Sequence, residues 1–239
     1  MISKKQWLII GAISVVVLST ILILVIKRKK NKTFKSKIKN NNPKKILIAG
    51  DSQSAIQTSS GKKITHTYPN LLIKNLPNVK IDVLAIGGKT SDWLLKNLPN
   101  QLKKEKYDRI YIYIGGNDTS NKSIKLETTL SNIQKMVDLS NDNGADVFVN
   151  LGYKVEGKFG NINILPVGRP ANLLKKKEDW IPYIEKRKEL QKLIPQKIKN
   201  ATFIPIYDLE SKTSDGIHPS SSGHKIVADK IYDSIVKKY

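Results

Sequence analysis

The 239-residue chain has no cysteine, three histidines and four arginines. Without cysteine there is no disulfide scaffold, no thiolate zinc site, no cysteine nucleophile and no lipid-bearing cysteine anchor. With so few histidines besides, neither a catalytic metal nor a cofactor is expected. Arginine is the side chain that reads phosphates and base edges bidentately. Here the 42 basic residues are 38 lysines and only four arginines. A net charge of +22 invites a polyanion, but the lysine skew accompanies abundant asparagine and reads as compositional bias. No specific nucleic-acid partner is expected. Acidic residues are also missing from the first 45 positions, which hold 12 basic ones. The remaining 194 residues carry 30 basic and 20 acidic side chains, a net +10. With 39 % hydrophobic and 26 % charged residues, the chain can bury an ordinary core, which excludes wholesale disorder.

Trp7 to Ile26 is a run of twenty residues without a charge. As a helix it would be roughly 30 Å long, the thickness of a bilayer core. A cleaved signal peptide would have a shorter apolar run and a small-residue cleavage site; this run ends instead in Lys27-Arg28-Lys29-Lys30. Residues 1–26 are therefore expected to be an uncleaved single-pass transmembrane anchor. Two lysines precede the span and ten basic residues lie between Lys27 and Lys45, so the positive-inside rule puts the body on the cytoplasmic side. The extracytoplasmic side or a particle surface is the alternative. Residues 27–45, rich in Lys and Asn, read as a linker that is either a solvated spacer or a contact for anionic headgroups.

From residue 46 to 239 the pattern is that of one domain. Short apolar runs at Ile46–Ala49, Val79–Ile86, Arg109–Ile114, Ala145–Leu151 and Ala201–Tyr207 have the character of buried parallel strands. Leu126, Leu130, Ile133 and Val137, and later Val227, Ile231 and Ile235, recur at helical spacing. Pro69–Leu76, Asp92–Leu98 and Pro182–Ile194 supply shorter helices. The alternation predicts a doubly wound α/β sheet, whose ligands bind beyond the carboxyl ends of the strands.

Four polar clusters follow predicted strands: Gly50-Asp51-Ser52, then Gly88, then Asn117, and finally Asp215-Gly216-Ile217-His218. They offer a hydroxyl, a backbone N–H at glycine, a side-chain amide, a carboxylate and a base, the set that acyl transfer needs. The chain here resembles the SGNH (GDSL-like) hydrolases. It has their blocks in order: GDSQS at 50–54, AIGGKTS at 85–91, GGND at 115–118 and DGIHP at 215–219.

The resemblance covers the chain from about Lys45 onward. It implies a three-layer α/β/α sandwich around a five-stranded parallel sheet, of flavodoxin-like order. It also implies a nucleophile, Ser52, and a base, His218, imidazole being the side chain that titrates near neutral pH. Asp215 would orient that base. The oxyanion donors would be the Ser52 and Gly88 N–H groups and the Asn117 amide, with Gly87 the neighbour that could replace Gly88.

The implied activity is hydrolysis of acyl esters, O-acetyl esters of carbohydrate foremost, or else of lipid esters as a lysophospholipase or thioesterase. A catalytically silent binding protein tethered to a membrane or particle is the reading from another class. Nothing in the sequence fixes an oligomeric state. Asp51 and Asp118 are expected to bond turn backbone. His66 and His224 should serve local structure, Trp93 and Trp180 should anchor core, and Arg169 should be a solvated loop residue.

Overall fold

The computed structural model describes residues 43–58, 60–152, 177–206 and 218–237. The expected anchor and most of the expected linker lie outside these residues, as do Arg169 and Asp215. Among the described residues no helix is long and apolar enough to cross a membrane. Pro43 to Lys45, assigned above to the linker, belong to the folded body: Pro43 is buried, and the Lys44 and Lys45 N–H groups donate to Asp108 Oδ2 at 2.8 and 2.9 Å.

Five strands form one parallel sheet: β1 (Lys45–Gly50), β2 (Lys80–Ala85), β3 (Arg109–Tyr113), β4 (Asp146–Asn150) and β5 (Thr202–Ile204). Their order is β2-β1-β3-β4-β5, and all four pairings are parallel. This is the flavodoxin-like order, which reverses direction between β1 and β3. The helices are α1 (Tyr68–Asn75), α2 (Ser91–Lys104), α3 (Gly116–Ser120), α4 (Leu126–Asp142), α5 (Lys177–Lys197) and α6 (Ser221–Ile231). A π-helical turn, Tyr232–Lys237, continues α6.

The inner strands β1, β3 and β4 are buried on both faces, as strands of a parallel sheet covered by helices are, while the edge strands β2 and β5 are only partly buried. On one face Leu47, Ile110, Ile112, Val147 and Val149 meet Leu94 and Leu98 of α2, Ile133 and Val137 of α4, and Leu190 and Ile194 of α5. On the other, Ile46, Ile48, Tyr111 and Phe148 meet Tyr68 and Leu72 of α1 and Val227 and Ile231 of α6. The period of two along each strand thus sorts alternate residues into two cores, giving three layers.

Two helices run past the prolines expected to bound them. α2 continues through Pro99 to Lys104. Proline removes one helical N–H and disfavours helix at the residue before it, but the stripe Leu94, Leu98, Leu102 is buried throughout and holds the last turn in place. α5 begins at Lys177, so Pro182 stands inside it rather than at its first turn. The five-residue α3 carries no apolar periodicity that would predict it.

Gly50, the last residue of β1, is fixed by packing. A Cβ there would lie 2.4 Å from the Tyr113 carbonyl oxygen and 2.7 Å from Ser54 Oγ. Neither atom can retreat without moving β3 or the turn after β1. Gly50→Ala should lower unfolding stability by roughly 3 kcal/mol, measured by urea denaturation.

Candidate active site

Ser52 stands in the turn that leaves β1. The Ser54 N–H donates to the Asp51 carbonyl at 3.0 Å, and the Gln53 N–H donates to Asp51 Oδ1 at 3.0 Å. The turn therefore closes on its own buried aspartate and leaves Ser52 half-exposed. Ser52 Oγ lies 2.9 Å from His218 Nε2. These residues are 166 positions apart, and β5 lies three strands from β1, roughly 14 Å at ordinary strand spacing. Two residues beyond His218 the chain is anchored: Ser220 caps α6, its Oγ accepting from the Gly223 N–H at 3.2 Å. Asp215 lies outside the described residues, so its place beside His218 remains an expectation.

Asn117, in the first turn of α3, meets the loops after β1 and β2. Its Nδ2 donates to the Lys89 carbonyl at 2.8 Å and more weakly to Asp51 Oδ2 at 3.4 Å. Gly88 stands in the turn after β2 with φ +78, a left-handed conformation natural to glycine. A Cβ on Gly87 would lie 3.6 Å from Ser52 Cβ, whereas one on Gly88 would meet nothing within 4 Å. Of the two, Gly87 is the one whose position adjoins the serine side chain. Ser52, Gly88, Asn117 and His218 follow strands at the carboxyl edge of the sheet, Ser52 and Asn117 flanking the β1–β3 pair where the order reverses.

Two carboxylates hold this edge together. Asp118 is buried and accepts from the Ser91 N–H at 2.9 Å, from Ser91 Oγ at 2.5 Å and from Thr129 Oγ1 at 3.2 Å. It pins the glycine loop and the start of α2 to the Asn117 loop, so its partners extend well beyond the turn backbone expected. Asp51 is equally buried. Burial raises its pKa to about 6, opposed by the Gln53 N–H and by the positive charge of Arg187.

Arg187 joins the site without belonging to any of the four sequence blocks. Its Nη1 donates to Tyr183 Oη at 2.8 Å and its Nη2 to Tyr113 Oη at 3.2 Å. The sequence holds one signal for it: a rare arginine four residues after a tyrosine, on a helix otherwise served by lysine.

The other aromatic and histidine expectations resolve simply. His66 is exposed. Trp93 packs against the first core and carries Lys89 Nζ 5.9 Å above its ring. The Trp180 side chain lies outside the described residues. His224 is structural: its Nδ1 accepts the Tyr68 N–H at 3.2 Å. Tyr68 Oη in turn meets Ser54 Oγ at 2.6 Å, two residues from the nucleophile candidate. No group of three or more His, Cys, Asp or Glu fit for a metal occurs among the described residues.

The model of the GDSL-like lipase/acylhydrolase family matches residues 48–226 of the chain. No curated protein sequence matches it. Several solved structures share the fold. A psychrotrophic esterase from Pseudoalteromonas is 20 % identical with a TM-score of 0.56, over 82 % of this chain and 97 % of that one. A catalytic mutant of an acetylxylan esterase from Geobacillus stearothermophilus is 16 % identical with a TM-score of 0.59, over 83 % and 96 %. A lipolytic G-D-S-L family protein from Desulfitobacterium hafniense is 18 % identical with a TM-score of 0.60, over 80 % and 99 %.

The His224 contact makes a pH prediction. Burial lowers its pKa from 6.5 to about 4, and Nδ1 must stay unprotonated to accept from Tyr68. The unfolded chain takes up this proton first, so the stabilisation is complete above pH 6.5 and is lost as pH falls from there towards 4. The ring is partly exposed, which reduces the effect to about 2 kcal/mol. His224→Gln should shrink the stability difference between about pH 7 and about pH 4.5 by that amount, measured by urea unfolding at both pH values.

Proposed function

Since the chain belongs to the GDSL-like lipase/acylhydrolase family, and is thereby a carboxylic ester hydrolase, we propose that it cleaves acyl esters through Ser52. The foremost substrates are O-acetyl esters of carbohydrate. The observation that carries the reading is the 2.9 Å contact between Ser52 Oγ and His218 Nε2. A serine hydroxyl is a poor nucleophile until a base takes its proton, and this contact is within reach of that transfer.

In the proposed mechanism, Ser52 Oγ attacks the ester carbonyl as His218 accepts its proton. The carbonyl oxygen gains negative charge and is received by the N–H groups of Ser52 and Gly88 and by the Asn117 amide. Asn117 Nδ2 would give up its weaker contact, the 3.4 Å one to Asp51, to make that bond. His218 then protonates the departing alcohol. Water, deprotonated by the same imidazole, releases the acid from the acyl-enzyme. Asp215 is assigned the orienting role on His218 by its place in DGIHP at 215–219. Loss of one oxyanion donor typically costs about 3 kcal/mol in the transition state.

The carbohydrate acetyl ester is favoured over a lipid ester by one analogy: an acetylxylan esterase is among the proteins that share this fold. We propose further that residues 7–26 tether the enzyme to a membrane. Their twenty uncharged positions and the basic flank after them support this, with the body on the cytoplasmic side by the positive-inside rule. Protease protection in intact and opened vesicles tests the side.

The body from Asn42 onward should hydrolyse p-nitrophenyl acetate faster than longer-chain esters and should be labelled by a fluorophosphonate. Ser52→Ala should lose both turnover and labelling. A folded wild-type body that is neither labelled nor active would replace this reading with the tethered binding protein.

A further inference from the structure

Tyr68 opens α1 and is fully buried. Its ring meets that of Tyr111 edge-on with centroids 6.0 Å apart, and that of His224 at 6.2 Å. A phenylalanine would fill the same space without burying a hydroxyl, which needs a partner in an apolar core. The Tyr68 hydroxyl has Ser54 Oγ as a partner at 2.6 Å, and Ser54 is itself fully buried. Burial pushes the phenol well above its ordinary pKa, so it stays a neutral hydroxyl.

The main chain of the same residue makes a second link. The first N–H groups of a helix have no partner within it, and Thr67, at the cap position of α1, makes no side-chain capping bond. The Tyr68 N–H donates instead to His224 Nδ1 at 3.2 Å, in the first turn of α6.

One residue therefore touches both sides of the contact between Ser52 and His218. Ser54 lies two residues after Ser52 and closes its turn, donating its N–H to the Asp51 carbonyl at 3.0 Å. His224 lies six residues after His218, beyond the Ser220 cap that anchors the start of α6. The nucleophile and the base come from segments 166 positions apart, and a relative shift of about 1 Å would take their contact out of reach of proton transfer.

We propose that Tyr68 is a positioning residue for ester hydrolysis: its hydroxyl holds the Ser52 turn, its N–H holds the segment that carries His218, and together they set the separation of nucleophile and base. This role rests on the reading of Ser52 as nucleophile and His218 as base. It gives a reason for a hydroxyl in the second core, and for a histidine where a helix cap would otherwise serve.

The test is turnover of p-nitrophenyl acetate by the full-length chain. Tyr68→Phe should lower kcat roughly tenfold and leave KM within about twofold, the pattern of a misplaced reacting group. Ser54→Ala should do the same. The double variant should be no more than about twofold slower than either single one, because two changes that break one bond are not additive. His224→Leu, which strips the acceptor from the Tyr68 N–H, should also slow turnover, and His224→Asn, whose amide oxygen can take the place of Nδ1, should restore most of it. Val137→Ala, in the core on the other face of the sheet, should lower the unfolding midpoint and leave kcat unchanged, which separates positioning from lost stability. Wild-type kcat in Tyr68→Phe, additive losses in the double variant, or equal losses in the two His224 variants would overturn the proposal.

Should Tyr68→Phe fail to fold, Ser54→Ala decides, since it removes the partner hydroxyl and keeps the tyrosine: an undiminished kcat there refutes the role. Nitrogen NMR of the His218 ring reads the same geometry without substrate. In Tyr68→Phe the Nε2 resonance should move towards its position in Ser52→Ala, where the contact is gone; an unmoved resonance refutes the role. An inert wild type would therefore refute the esterase reading while the effect of Tyr68 on the Ser52–His218 contact is still measured.

Discussion

Two buried carboxylates at the carboxyl edge of the sheet hold the site together. Asp118 ties the glycine loop after β2 to the loop after β3 through Ser91 and Thr129. Asp51 closes the turn after β1 and reaches Asn117. A buried anion is expensive and persists only where donors converge on it. That cost is also what makes the arrangement specific, since any loop displaced from the edge would strand a charge. Three loops from three strands are thereby fixed relative to one another before any substrate arrives. Preorganisation of this kind supplies the larger part of stabilisation for a developing oxyanion.

The edge is formed by topology. In the order β2-β1-β3-β4-β5, the direction in which the strands are wound reverses at the parallel β1–β3 pair, and the loops there diverge to opposite faces of the sheet, leaving a crevice. Ser52 and Asn117 leave the two strands that bound it. Close packing brings the strands together: Gly50 admits the Tyr113 carbonyl where a methyl group would clash. His218 reaches the crevice from beyond β5, set by the capped start of α6 and by the helix's packing against α1. Tyr68 joins that packing to the nucleophile turn through its hydroxyl contact with Ser54.

Opposed electrostatic demands run through the same few residues. Burial pushes Asp51 up to about 6 and His224 down to about 4. Acidification therefore relieves the first and strains the second. One group adjoins the serine in the chain and the other supports the helix that follows the base. The fold accommodates both because each has a backbone N–H donor, Gln53 for Asp51 and Tyr68 for His224. Arg187 adds a full positive charge beside Asp51 from within the interior.

Much of this protein is legible in one dimension. Apolar runs closed by glycine or a polar turn mark all five strands, most fully the inner ones, because a strand buried on both faces must be largely apolar. Ser52, Gly88, Asn117 and His218 can be named because their chemistry recurs in short blocks at strand ends. Other features are settled only by the folded chain. Helix α2 outlasts Pro99 because Leu102 finds a core, which local propensity cannot foresee. The partners of Asp118 lie 27 and 11 residues away, and Tyr113, a partner of Arg187, lies 74 residues away. Hydrophobic period and motif chemistry are local properties of a sequence. The pairing of buried charges depends on which distant segments share an interior, and only the tertiary structure decides that.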